Sequence, residues 1–482
     1  MSSRSAGWHA MVTLAGQWTK YGVQILALVV FSRLLDPQDF GIVAMVTAVV
    51  GVAYVLGDFG LSLAALQAGE LTHGQRSNLF WLTSGIGVLT GLVVVALAPL
   101  FVHLYDEPQV GQVAAWIALV FVANGFAGHF RTELNRAHRF TALAVTDVVG
   151  QLGGLVAGLV VILTGGGLWG LVVQQVCAAV LVLVLVAGAS SWRPGLPRRG
   201  EPMRGLLRFG SLSLAASVVN YLSTNLDQLV VGRTWGPATV GVYNRAFQVA
   251  RVPAQQVGAP LTRVVLPHLR ARLDDPASFS RAVHRAQAML GTALVALFGY
   301  LIATAPSLVE VALGAGWDSA VPFVRVLCVA GLLESASRVY YWILLAHGRP
   351  GLILGAELGA RTIMVVLMFA VVSQGAIWVA WAAVVGQVLL LGTNVLVTAP
   401  AVGVSPWPLL RLSLAGVLAV APATALVAWL GGRPVPGPVA VELLLLSTLW
   451  VAVAALSLLV PRARALVADG AGYVRAMLPR PA

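Results

Sequence analysis

The sequence predicts an all-α membrane protein of about fourteen transmembrane helices, arranged as two pseudo-symmetric six-helix bundles plus two C-terminal helices. Three observations carry this prediction. Of the 482 residues, 59% are hydrophobic and only 10% charged, with a mean hydropathy of +0.87, against about 25% charged in a soluble globular domain. Apolar runs of roughly 20 residues, long enough to cross a bilayer as helix, recur from end to end. The segment "SRLLDPQDFG" returns at an offset of 200 as "GRTWGPATVG", with Arg33, Pro37 and Gly41 matched by Arg233, Pro237 and Gly241.

The first span, 7–33, is interrupted by Gln17, Lys20 and Gln24. It lacks a short apolar core followed by a small-residue cleavage site, so it reads as a retained helix rather than a cleaved signal. Arg33 marks its interfacial end, Pro37 helps start the next helix, and Gly41 permits close packing in the span 40–66. The acidic turn "LYDEP" separates spans 79–104 and 111–129, and "HFRTELNRAHRF" leads into 143–163 and 168–188. After the basic stretch "SSWRPGLPRRGEPMRGLLR" come 206–232, 238–264, 284–304, 320–345, 352–373 and 376–398, then 409–430 and 438–460. This divides the chain into an N-terminal bundle (1–190), a linker (191–205), a C-terminal bundle (206–400) and two added helices with a basic tail (401–482).

The repeat extends beyond its opening motif. "APLFV" at 98–102 matches "APSLV" at 305–309, Arg139 and Asp147 fall over Arg349 and Glu357 at an offset of 210, and Trp169 falls over Trp378 at 209. A slow drift from 200 to 210 is what loops of slightly different length produce. Each copy holds six spans, an even number, so both share one orientation as parallel repeats, an architecture that encloses a cavity between its halves.

Arginines set the orientation. They concentrate in "HFRTELNRAHRF", in the 190–208 stretch, in "PHLRARLDDPASFSRAVHRAQ" and in the C-terminal tail, which places both termini in the cytoplasm. The net charge of +12 follows this topology and forms no basic module, so no nucleic-acid partner is expected. Cys177 and Cys328 lie far apart within apolar segments and read as buried free thiols. There is no Walker loop, HExxH, GxSxG or metal-spaced Cys/His set, so no enzymatic activity, metal or cofactor is expected.

The series "SRLLDPQDFGIVAM", "LGDFGLSLAALQ", "NLFWLT", "ELNRAHRFTALAVTDVVG" and "LDQLVVGRTWGPATVGVYNRAFQVARVPAQQVGAPLTRVVLPHL" resembles the polysaccharide-transport branch of the MOP exporter superfamily, the Wzx-type lipopolysaccharide and exopolysaccharide flippases. The likeness covers roughly residues 10–400. It implies the MOP flippase fold in a bacterial plasma membrane. It also implies movement of undecaprenyl-diphosphate-linked oligosaccharide from inner to outer leaflet by alternating access. Membrane lipids, a polysaccharide polymerase and glycosyltransferases are the partners it implies, and a proton or sodium ion the coupling ion. An ion-coupled multidrug antiporter and a lipid II flippase of the same superfamily are the alternatives. A polymerase or ligase would need large external loops, which this chain does not have.

Ionisable residues inside spans are expensive and therefore candidates for function. Lys20, Arg245, Arg251, Arg338 and Arg361 are the candidate cavity cations for a diphosphate headgroup, since Arg holds phosphate oxygens bidentately and stays charged. Asn244, Gln248, Gln255 and Gln256 add a polar stripe beside Arg245 and Arg251. Glu334–Arg338 and Glu357–Arg361 are spaced i, i+4 on one helix face, and they read equally as self-neutralised pairs that tie helices together. Asp58, Asp147, Asp227, Glu334 and Glu357 are the candidate gate or coupling carboxylates.

Overall fold

The computed structural model describes residues 3–58, 61, 65, 71–432, 438–457, 459, 464 and 468. Among them there is no strand; helix is interrupted only by turns, short 3-10 and π segments and loops. The helices are α1 (Ser3–Leu34), α2 (Pro37–Asp58), α3 (His73–Tyr105), α4 (Pro108–Arg136), α5 (Phe140–Val161) and α6 (Trp169–Ala189). A continuous run, Arg204–Arg270, is broken at Gly236 (φ 78°), a left-handed backbone that favours glycine, into α7 (204–235) and α8 (237–270). There follow α9 (Pro276–Ala303), α10 (Ala305–Leu313), α11 (Ala320–Ala346), α12 (Pro350–Val371), α13 (Ala376–Thr393), α14 (Trp407–Leu430) and α15 (Val439–Ser457). Ten of the described helices are long and apolar enough to cross a membrane: α3–α6, α9 and α11–α15. This is a multipass membrane protein.

Local chemistry explains where helices start. Thr72 and Gln75 form a reciprocal capping box at α3, with both bonds at 3.0 Å. Asp275 accepts from the amides of Ala277 and Ser278, at 3.1 Å each, ahead of Pro276 at the start of α9. Several helices outrun their apolar windows. Helix α4 continues past residue 129 to Arg136, and α9 begins at Pro276 rather than 284. Hydropathy detects only the part of a helix that lies in hydrocarbon, whereas the backbone keeps its hydrogen bonds until a cap ends it.

The same turn recurs at an offset of 210. Helix α4 ends at Ala137, His138 takes a positive φ of 55°, and the Arg139 amide donates to the Leu134 carbonyl at 2.9 Å. Helix α11 ends at His347, Gly348 takes a φ of 67°, and the Arg349 amide donates to the Leu344 carbonyl at 3.0 Å. A repeated backbone bond pattern at the offset seen in the residues is the structural mark of the duplication.

The chain forms two compact units, Met1–Gly241 and Val242–Ala482. In the first, α3 packs along α4, α5 along α6, and α1 along α5, with α2 against α3 and α4. In the second, α9 packs on α11 and α14, α13 on α11 and α12, and α15 on α10 and α14. Apolar side chains such as Leu89, Val156 and Leu444 stay exposed on outer faces, the surface that lipid covers rather than a defect of packing.

Candidate functional site

Each unit contains a place where one carboxylate faces two cations. In the first unit the carboxylate is Asp147 on α5. Arg131, near the end of α4, holds it with a fork: its Nη1 donates to Oδ1 at 2.5 Å and its Nη2 to Oδ2 at 3.0 Å. Lys20 Nζ of α1 stands 3.5 Å from the same Oδ2. Two positive groups and one negative group leave a net charge of +1 among three helices.

In the second unit the carboxylate is Glu334 on α11. Arg338, one turn further along the same helix, donates to Oε1 at 2.7 Å. Arg251 of α8 donates to Oε2, so each carboxylate oxygen takes a different guanidinium. The Arg251 guanidinium carbon also lies 5.4 Å from the Phe247 ring centroid, within cation–π range. A small cavity opens beside this cluster, lined by Arg251, Glu334, Ser335 and Arg338 with Leu294 and Phe298 of α9. The charge balance is again +1, here at the wall of a cavity.

The remaining candidates are placed as follows. Arg361 Nε donates to Glu357 Oε2 at 2.7 Å within α12. On α8, Arg245 donates to Gln248 Oε1 at 3.0 Å, and Gln248 donates in turn to Asn244 Oδ1 at 2.9 Å. Asp227, buried on α7, accepts from the Gln228 amide at 2.8 Å. The side chains of Asp58, Gln255 and Gln256 lie outside the described residues.

Sequence reasoning gave Arg131 to a loop and placed no carboxylate near Arg251. Its partner Glu334 is 83 positions away on another helix, a juxtaposition without any local signal. Also missed was a buried group on α3 and α4: Arg76 Nη1 stands 3.3 Å from Glu133 Oε2, and His129 Nε2 stands 3.5 Å from Glu133 Oε1. The i, i+4 spacing of His129 and Glu133 was the available clue. Among the described residues no group of three or more His, Cys, Asp or Glu is arranged to hold a metal ion.

Comparison with known proteins agrees with this architecture. A sequence profile described as polysaccharide biosynthesis protein matches residues 30–322. The lipopolysaccharide biosynthesis protein WzxC of Escherichia coli (strain K12) is 27% identical over 351 residues, covering 71% of this chain and 70% of that protein. In fold, the chain is similar to the lipid II flippase MurJ in an inward closed conformation, with a TM-score of 0.72 at 13% identity, over 93% of this chain and 98% of that one. It is also similar to an inward-facing multidrug resistance MATE family transporter of the MOP superfamily, with a TM-score of 0.61 at 16% identity, over 84% and 98%. These two likenesses concern the fold alone. The profile spans more than half of the chain and the helical architecture is consistent with it: the chain belongs to the polysaccharide biosynthesis protein family.

Proposed function

We propose that this protein is a flippase that moves an undecaprenyl-diphosphate-linked oligosaccharide from the inner to the outer leaflet by alternating access. The observation that carries this reading is the meeting of Arg251 and Arg338 on Glu334 beside a cavity. Placing a charged side chain at mid-membrane costs about 3 kcal/mol. A cluster that keeps one cation beyond what its carboxylate neutralises is therefore a standing cost. An anionic lipid headgroup entering the cavity offsets that cost, because phosphate oxygens replace water around the guanidinium donors. The Asp147 cluster of the first unit has the same excess, with Lys20 and Arg131 as its cations.

The family and the relatives' names support a glycan rather than a drug as cargo. A multidrug antiporter favours an isolated carboxylate and an apolar pocket, whereas Asp147, Glu334 and Glu357 all face arginines. A lipid II flippase shares the headgroup chemistry and differs in the sugar. The arginine distribution supports an inner-membrane protein with both termini in the cytoplasm. In that setting glycosyltransferases supply the substrate and a polymerase consumes it. A proton or sodium gradient is the proposed driving force.

The test is reconstitution of the full chain in liposomes with a lipid-linked oligosaccharide loaded in one leaflet. Appearance of the glycan in the other leaflet is followed by lectin binding. Arg251→Ala, confirmed as inserted, is expected to abolish transport. Transport at the wild-type rate would overturn the cationic headgroup reading.

A further inference from the structure

The loop joining α6 to α7, residues 190–203, is laid as a strap across the start of α3. The Gly195 amide donates to Ser77 Oγ at 3.0 Å, and Trp81 Nε1 donates to the Gly195 carbonyl at 2.9 Å. Asn78 exchanges two bonds with the Arg198 backbone, at 2.7 and 2.8 Å, and Thr72 Oγ1 donates to Glu201 at 2.8 Å. The strap's anchor is Trp192, which sits buried among Phe80, Phe130, Leu134 and Val186. Its ring centroid lies 4.7 Å from that of His129.

Beneath Trp192 lies the Arg76–Glu133–His129 group, which the proposed transport chemistry does not use. His129 is 3% exposed and Glu133 8% exposed. Four buried polar atoms in this small region make no hydrogen bond: Arg76 Nε, His129 Nε2, Glu133 Oε1 and Trp192 Nε1. Two of them, His129 Nε2 and Glu133 Oε1, stand 3.5 Å apart. With a neutral imidazole the group is balanced, since the Glu133 carboxylate answers the Arg76 guanidinium.

We propose that His129 and Glu133 together form a proton-binding site, and that a proton bound there loosens the 190–203 strap from α3 and α4. The proton has two places to go, and both disturb the balance. On Glu133 it removes the partner of Arg76. On His129 it makes an imidazolium that shares one carboxylate with Arg76, leaving an excess positive charge under the Trp192 ring. Among the described residues the surroundings do not absorb that charge. Helix α3 adds His73 and Arg76, and α4 adds Arg136, which donates to the Ala65 carbonyl. Helices α5 and α6 add apolar groups such as Leu143, Val182 and Val186. On the strap, Arg193 is spent on the carbonyls of Ala187 and Ser190, and Glu201 is held by Thr72 at the far end. A buried excess charge is relieved by admitting water, and the cover that water must lift is the strap. This strap is the covalent connection between the first six helices and α7, so its release frees the link between the two repeats.

The experiment is hydrogen–deuterium exchange of the full chain in lipid nanodiscs, read on peptides covering 190–203 and corrected for intrinsic rates. Between about pH 8 and pH 4.5, a range that spans protonation of an imidazole–carboxylate pair kept from water, exchange of the strap is expected to rise about tenfold. Glu133→Gln, which leaves Arg76 without its counter-charge, is expected to exchange fast at both pH values, and His129→Gln slowly at both. A second reading uses the wild type against Trp192→Phe: the difference fluorescence reports Trp192, and a nearby imidazolium quenches it on acidification. Strap exchange that is the same at both pH values overturns the proposal. So does a full pH response in His129→Gln, or difference fluorescence that does not change with pH. None of these readouts requires that the protein transport a glycan.

Discussion

Gly41 of α2 rests against the Pro237 carbonyl so closely that a β-carbon there would stand 1.7 Å from the oxygen. The relation is reciprocal, because a β-carbon on Gly241 would stand 2.0 Å from the Pro37 carbonyl oxygen. The repeated Pro and Gly of the two motifs are thus each other's packing partners. Close approach of backbones through small residues is how membrane helices gain contact where no hydrophobic force drives them together.

Alanine at either glycine must push the crossing apart, and the opposing atoms are backbone that cannot swing away. Gly41→Ala and Gly241→Ala are each expected to cost about 2–3 kcal/mol by overpacking. The double variant should cost less than the sum, since one displacement relieves both clashes. Thermal unfolding midpoints in detergent check this; additive losses would mean that the two sites do not share one crossing.

The two cations of Asp147 are expected to differ. Arg131 grips both carboxylate oxygens, whereas Lys20 reaches one of them at the limit of pairing distance. A double-mutant cycle of Arg131→Met with Asp147→Asn should give a coupling of about 1–2 kcal/mol, and one of Lys20→Met with Asp147→Asn below about 1 kcal/mol. Equal couplings would contradict the asymmetry of the geometry.

At the start of α9, Asp275→Ala removes the acceptor for two amides and is expected to destabilise the helix end by about 1 kcal/mol. Asp274→Ala, which takes no part in that cap, serves as the control. Exchange rates of the 276–283 amides report the difference directly.

What was legible in the sequence was whatever repeats along one helix or along the chain. The motif pair around Pro37 and Pro237 announced the duplication, and the 210 offset reappears in the turns at His138 and Gly348. The i, i+4 spacings of Glu334–Arg338 and Glu357–Arg361 foretold bonds that close at 2.7 Å. Lys20 and Asp147 lie 127 positions apart, and Arg251 and Glu334 lie 83 apart. Their meeting depends on how each helix is rotated about its axis, which apolar composition does not fix because the lipid-facing and core-facing sides of a membrane helix are both apolar. The His129–Glu133 group was hidden for another reason. His129 is the last residue of the 111–129 window and Glu133 lies past it, in residues that hydropathy assigns to a loop but that remain helix.

The charge excess at Glu334 allows a compensation test. Arg338→Ala leaves Arg251 and Glu334 as a neutral pair, so on the proposed reading the cavity loses its hold on a diphosphate lipid. Adding Glu334→Gln to that variant frees Arg251 and restores one net positive charge, without restoring the Arg338–Glu334 bond. Undecaprenyl diphosphate binding to the purified protein is therefore expected to fall about tenfold in Arg338→Ala and to recover most of that loss in the double variant, a tenfold change being about 1.4 kcal/mol. A purely structural role predicts the opposite order. Removing both Arg338 and the Glu334 charge then leaves Arg251 unpaired in a low-dielectric wall, and the double variant should be less stable and bind no better than the single one. Measuring binding and unfolding on the same two proteins separates these outcomes, because only net charge at the cavity raises affinity while stability falls.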